Sequence, residues 1–394
     1  MINNFIEKHF DTRACLVLLF FIGLLTILIS NYLYTYEVSL SQLDAKFYIL
    51  MSNDLKNYFY VYKEVALRIF PSFLVYLINF FLNIYIFNSY SILSYLAFIF
   101  LLVKTFFFFQ KFNIKSYIAL SSVLILYFFH NSVVYLVFNT YQLLDILLYI
   151  FSIFIIESSI FNKRNYMFIF SILAIFTKEF LVLLVIFSYL NNFYLYKKIN
   201  IFYDLFLIIS TFLLHFYFAG LFNNQPFILN KNSISIDLSH YFKLIYNCLF
   251  LDKNFFFFMP YILIFFFSRK IFIFLKKYYF IVCYSLIPII PSIFMYNLVG
   301  NNFFRVYYQG YFILIIFILI FLIKKISNDK FLLNCYFFLP ITLFIDFIYI
   351  FLNIKQSGFY SYYQLLRYEF FSGYYFFSII FIYILFISYK KKII

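Results

Sequence analysis

The chain has no tryptophan, and among its 394 residues glycine and proline occur six times each. No Rossmann or P-loop fingerprint is present, so no nucleotide-binding domain is expected. Cysteine is also scarce. Cys15, Cys248, Cys283 and Cys335 show no CxxC spacing, and three of them lie in or beside apolar runs, so neither a disulfide framework nor a zinc site is indicated. The four histidines, His9, His130, His215 and His240, are too scattered for metal-ligand spacing. Charge is the largest deficit. Only 11% of the residues are charged and 15 are acidic, against about 25% charged in a soluble globular chain. Polar stretches are short, which excludes a soluble domain of any size. No internal repeat and no low-complexity linker divides the chain.

What is abundant is apolar: 66% of the residues are hydrophobic, with 68 Phe and 42 Tyr. Phe, Tyr, Ile, Asn and Lys share AT-rich codons, so the aromatic excess reads as codon bias. Runs such as Phe106–Phe109 and Phe255–Phe258 are then lipid-facing or core bulk. Apolar runs of about 18 residues or more recur along the whole chain, each a signal for a membrane-crossing helix. The first, Cys15–Leu33, lacks a small-residue cleavage site and reads as an uncleaved helix. The others expected in the first half are Ile69–Phe87, Ile92–Phe109, Ile118–Val137, Leu143–Ile156 and Met167–Leu190. The second half adds Phe202–Leu221, Phe255–Ser268, Tyr278–Tyr296, Tyr311–Ile323, Leu332–Leu352 and Tyr374–Ser388. The expected fold is therefore all-α: a polytopic transmembrane bundle of about 12 spans forming one integral membrane domain over residues 1–394.

The net charge of +15 falls in short loops between spans and is not a nucleic-acid signature. Lys197-Lys198, Arg269-Lys270, Lys276-Lys277, Lys324-Lys325 and Lys390–Lys392 mark alternate loops and the C-terminus as cytoplasmic. Lys8 and Arg13 do the same for the N-terminus, so both termini are expected inside and the loop Tyr34–Arg68 outside. Simple alternation then strands Lys111, Lys115, Lys163 and Arg164 on the outer face, against the rule. One repair is a re-entrant hairpin around Thr177-Lys178-Glu179 in place of a full sixth span; both arrangements stay open at this point.

The loop Tyr34–Arg68 carries four acids, Glu37, Asp44, Asp54 and Glu64, interleaved with tyrosines. Part of it is expected as an interfacial helix with Phe47, Leu50 and Met51 buried, which puts Asp44 and Tyr48 one turn apart on one face. The loop reads either as a solvated segment whose acids balance Lys46, Lys56 and Lys63, or as one that holds a base over an acceptor hydroxyl. The stretch "LDAKFYILMSND" followed by "LRIFPSFLVYL" resembles the first outer loop and second helix of the GT-C membrane glycosyltransferases, of bacterial type. "NTYQLLDILLY" (139–149) and the lysine-containing break "LAIFTKEFLVL" (173–183) agree in place and type, and Ala45 stands where glycine is usual. The likeness covers residues 1–190; residues 191–394 are less recognisable.

This resemblance implies a transferase that passes a sugar from a polyprenyl-phosphate carrier to a glycan, lipid or protein acceptor on the outer face of a bacterial inner membrane. Asp44 would be the catalytic acid, with Asp54 a weaker second and a divalent cation an optional companion. Arg68 would open the second helix, and Tyr48 is a further candidate on the face of Asp44. Donor-phosphate binding would fall to Lys178, Arg305 or Arg367, with Asp145 and Glu179 as further candidates. The residues alone leave a plain reading for each: Lys178 and Glu179 as a pair at a helix break, Asp145 as a helix-terminal or ion-paired group, Glu157 as interfacial. A flippase for lipid-linked saccharides or a polysaccharide polymerase or ligase would be the other classes. No nucleic-acid partner is expected.

Overall fold

A computed structural model describes residues 9–33, 45–54, 68–128, 143–178, 180–196, most of 205–217, 268–294, 303–327 and short pieces between 329 and 341. Among the described residues the chain is helical, without a strand. The helices are α1 (Thr12–Leu33), α2 (Ala45–Asn53), α3 (Ile69–Leu82), α4 (Ile86–Gln110), α5 (Ser116–Phe128), α6 (Leu143–Ile160), α7 (Arg164–Ile175), α8 (Phe180–Tyr196), α9 (Ser268–Lys276), α10 (Tyr279–Phe294) and α11 (Phe303–Ile326). Three stretches, Thr12–Ile29, Ile86–Gln110 and Leu143–Ile160, are long and apolar enough to cross a membrane. The protein is an all-α membrane protein by that measure.

Helix boundaries follow local chemistry. The Asp11 carboxylate accepts from the Ala14 N–H at 2.7 Å and caps α1. Pro71 lies in the first turn of α3, where no intrahelical N–H is lost. Three turns need a left-handed residue and, in a chain short of glycine, asparagine supplies it. Asn83, Asn113 and Asn162 have φ of 49°, 62° and 53°, closing α3–α4, α4–α5 and α6–α7. At Gly23 α1 comes so close to α4 that an added Cβ would stand 3.3 Å from both Ile99 and Leu102.

Helix α6 is the axis of the first half. It is buried on all sides from Leu143 to Ser159, apart from the half-buried Phe154, as expected of a helix that is apolar all round. It packs against α3, α4, α7, α8 and α11, while α1 and α5 cover α4, and α10 joins α8 to α11. Small hydroxyls tie the helices together. Ser122 meets the Tyr336 hydroxyl at 2.9 Å, and Thr105 meets that of Tyr127 at 2.8 Å. In an apolar medium such groups must be satisfied within the protein.

One end of this bundle is basic. The Thr12 hydroxyl lies 2.9 Å from that of Ser116, which puts the start of α1 beside the α4–α5 turn. Phe112 in that turn touches Phe161 of the α6–α7 turn at 6.0 Å and Tyr278 of the α9–α10 turn at 6.4 Å. The Lys324 ammonium stands 5.6 Å from the Phe112 ring, which brings the end of α11 to the same place. Lys111, Lys115, Lys163 and Arg164 therefore gather at the same end as Lys276, Lys277, Lys324 and Lys325.

The run Met167–Leu190, expected as one span, is two antiparallel helices. Asn192 near the end of α8 donates to the Met167 sulfur near the start of α7 at 3.4 Å, and the Tyr196 hydroxyl donates to the Ile160 carbonyl. Ser159 lies 2.9 Å from both the Ser188 carbonyl and the Asn192 side-chain oxygen. The chain reverses just after α7, at residues 176–178, where the charge of Lys178 interrupts the apolar run. Other boundaries shift as well. Helix α11 begins eight residues before the expected Tyr311, so Arg305 stands on a helix and not in a loop. Gly310 did not end that helix; it is buried within it. Ser268–Lys276, expected as part of a span and a basic loop, is a short helix with Ile271 and Leu275 buried. A helix exists in the first loop as α2; it packs Tyr48, Met51 and Ser52 into the bundle and leaves Leu50 on its outer surface.

Candidate functional site at the helix break

The tip of the α7–α8 hairpin forms where the backbone of α7 runs out. The Lys178 N–H donates to the Ala174 carbonyl at 3.0 Å, and the Lys178 carbonyl accepts from Leu181 at 3.0 Å, so the turn passes directly into α8. The Lys178 ammonium donates to the Asp145 carboxylate in the first turn of α6. Both side chains are buried, at 5% and 0% exposure. Two charges at these positions in an apolar bundle hold only as a pair with further polar contacts. Counted along α6, the pair stands about 18 Å from Glu157 at the basic end, deep in the helix layer.

The segment that opens α3 is attached to this tip. The Phe70 N–H, left without an intrahelical acceptor in the first turn, donates to the Phe176 carbonyl at 3.1 Å. The Phe70 ring meets Phe151 of α6 edge-on at 5.7 Å. One residue before α3, the Arg68 guanidinium donates to the Tyr48 hydroxyl of α2 at 2.6 Å. Ser52, one turn after Tyr48, donates to the Tyr48 carbonyl at 2.8 Å and meets the Tyr90 hydroxyl of α4 at the same distance. A continuous chain of contacts thus links α2, Arg68, the head of α3, the hairpin tip and Asp145.

The candidates read from the sequence divide accordingly. Tyr48 pairs with Arg68 and Lys178 with Asp145, and the Phe70–Phe176 hydrogen bond joins the segments that carry the two pairs. Asp54 is exposed just beyond α2. Arg305 stands two turns before Phe312 on α11, and Phe312 packs on Tyr149 of α6 at 4.6 Å, one turn beyond Asp145. Asp44, Glu179 and Arg367 lie outside the described residues. Among the described residues no group of three or more His, Cys, Asp or Glu side chains could hold a metal ion.

Two polar features went unread in the sequence. Tyr90 and Ser52 are an ordinary tyrosine and serine in apolar surroundings and carried no signal. Glu157 did carry one. It stands in the last turn of α6 at the basic end and is 5% exposed, held by Lys104 at 2.6 Å and by Lys111. Lys104, a single lysine inside the apolar run of α4, was the available clue to a buried acid partner. The chain matches no family model, no curated protein and no solved structure.

Proposed function

We propose that the chain is a polytopic membrane glycosyltransferase of the GT-C type, which moves a sugar from a polyprenyl-phosphate carrier to an acceptor on the outer face of the membrane. The observation that carries this reading is the hydrogen bond from Phe70 to Phe176. It joins two of the segments that carry the resemblance, the opening of α3 and the lysine-containing break, although about a hundred residues separate them in the sequence.

In this reading the basic end faces the cytoplasm, since cytoplasmic loops carry the lysine excess. The first loop and the α3–α4 turn then face outward, and the α7–α8 hairpin enters from the cytoplasmic side without crossing. Asp44, immediately before α2, is the acid that orients or deprotonates the acceptor hydroxyl. Lys178 is the group that meets the departing phosphate. Its bond to Asp145 holds the ammonium in place until an anionic donor competes for it. Arg305, near the outward end of α11, is a second cation for the same phosphate.

The test is transfer from labelled polyprenyl-phosphate sugars by purified protein. Asp44→Asn should lower the rate about 10²–10⁴-fold, the usual cost of losing a general base, with donor binding kept. Full activity of Asp44→Asn would remove that residue from the mechanism, and failure of the wild-type protein on every polyprenyl-phosphate sugar would remove the reading itself. A flippase for lipid-linked saccharides is the second reading, because a buried ion pair at a hairpin tip also suits alternating access. It requires movement of an intact lipid-linked saccharide across proteoliposomes with no sugar transferred.

A further inference from the structure

The strongest feature outside the helix break is at the basic end, around the α6–α7 turn. Phe161 of this turn touches Phe112 at 6.0 Å, and the two rings are flanked by ammonium groups: Lys111 is 5.8 Å from Phe161 and Lys324 is 5.6 Å from Phe112. Lys163, at the end of the turn, stands 6.0 Å from the Tyr166 ring. Lys111, Lys163 and Lys324 are exposed. Among the described residues Lys163 and Lys324 form no ion pair, and Glu157 is already held by both Lys104 and Lys111. Like charges brought together from three helix ends repel one another, and an anion among them relieves that repulsion.

A lane of rings runs from this turn along the bundle between α4 and α7. Phe154 of α6 stacks on Phe170 of α7 at 4.0 Å and on Phe100 of α4 at 6.0 Å, and the Lys104 ammonium, held by Glu157, stands 3.8 Å from its ring. The rims of the lane are open: Phe100, Tyr166 and Ile169 are 48%, 59% and 53% exposed. A free phosphate would use the ammonium groups alone. A molecule with a phosphate at one end and a hydrocarbon chain at the other uses both features, and such molecules surround a membrane-spanning helix where its apolar surface meets its charged end.

We propose that the α6–α7 turn and this ring lane form a binding site for one anionic membrane lipid. Its phosphate rests against Lys163 and Lys324, since Lys111 is held by Glu157, and an acyl chain lies along the exposed Phe100, Tyr166 and Ile169. The site is separate from the helix break and does not depend on the glycosyltransferase reading.

The test uses the full chain purified in neutral detergent. Because there is no tryptophan, thermal unfolding is followed by circular dichroism. Phosphatidylglycerol, phosphatidylcholine, glycerol 1-phosphate and inorganic phosphate are each titrated in. A saturable rise in midpoint is expected with phosphatidylglycerol and with none of the other three. Lys163→Gln with Lys324→Gln leaves the Glu157 pairs intact and should raise the half-saturating lipid concentration about thirtyfold, at the usual worth of two lysines near an anionic surface. Lys163→Arg with Lys324→Arg should keep it within about threefold, as should Arg13→Gln with Lys115→Gln at the same end of the bundle. An equal response to phosphatidylcholine would overturn the site, and an equal response to inorganic phosphate would make it an anion site without a lipid. If the Arg13/Lys115 variant lost as much as the Lys163/Lys324 variant, the attraction would be that of the whole basic end, and the proposed site would be rejected.

Discussion

Lys178 and Asp145 are the most demanding residues of the described structure, because neither tolerates the loss of the other. Removing one partner of a buried ion pair leaves a charge that water cannot reach, at a cost of about 3–5 kcal/mol. Lys178→Met should therefore lower the unfolding midpoint strongly. Lys178→Met combined with Asp145→Leu should recover most of the loss, since a well-packed apolar pair can match a buried ionic one. A double variant as unstable as the single one would mean that the pair is not coupled as the geometry indicates. The same double variant separates structure from function: if Lys178 meets the donor phosphate, the restored protein stays inactive in sugar transfer. Glu157 behaves differently. Glu157→Gln leaves two ammonium groups, but Lys111 is partly exposed and can turn to solvent. The expected loss is nearer that of a hydrogen bond to a charged group, about 1.5–3 kcal/mol, read from the same melts.

At the scale of elements, the sequence announced helices by length and composition and missed how two of them turn. Leu143 as the start of α6 was legible, because the polar "NTYQ" precedes an apolar run whose first turn is interrupted only by Asp145. The α7–α8 hairpin was legible only as one of two options. Apolar periodicity records that residues are buried and carries no sign of chain direction, so Met167–Leu190 reads the same as one long helix or two short ones. The asparagine turns were missed for a chemical reason: a reader expects glycine at left-handed positions, and this chain has little. That substitution can be tested at Asn162. Asn162→Gly should leave stability nearly unchanged. Asn162→Val should cost about 1–2 kcal/mol, because a β-branched residue clashes in the left-handed region. A Val variant that melts with the wild type would mean that the turn has relaxed to another conformation. Of the candidate site, Lys178 was legible as a charge in an apolar run. Its partner across 33 residues was not, because nothing in one sequence states which helices are neighbours.

For the whole molecule, the charge pattern and the packing of the described helices support the proposed topology. Read by alternation, Lys111, Lys115, Lys163 and Arg164 contradict the positive-inside rule. Read by packing, they do not, because α4 ends, α7 starts and α8 ends at the same end as the lysines of α11. Helix α7 has 12 residues, a length of about 18 Å, which is short of the ~30 Å hydrocarbon layer; on the proposed topology it therefore turns back as α8 within the membrane. Cysteine labelling in intact cells, with the native cysteines replaced, distinguishes the alternatives. Lys163→Cys and Tyr194→Cys lie at the two feet of the hairpin, and both should be protected from an impermeant reagent until the membrane is opened. Tyr85→Cys, at the α3–α4 turn where the native side chain is 77% exposed, should react at once. A full sixth span requires residues 163 and 194 to fall on opposite faces, so that one of them labels in intact cells. That result would reject the hairpin, and with it the placement of Lys178 at an intramembrane tip reached from the outer face.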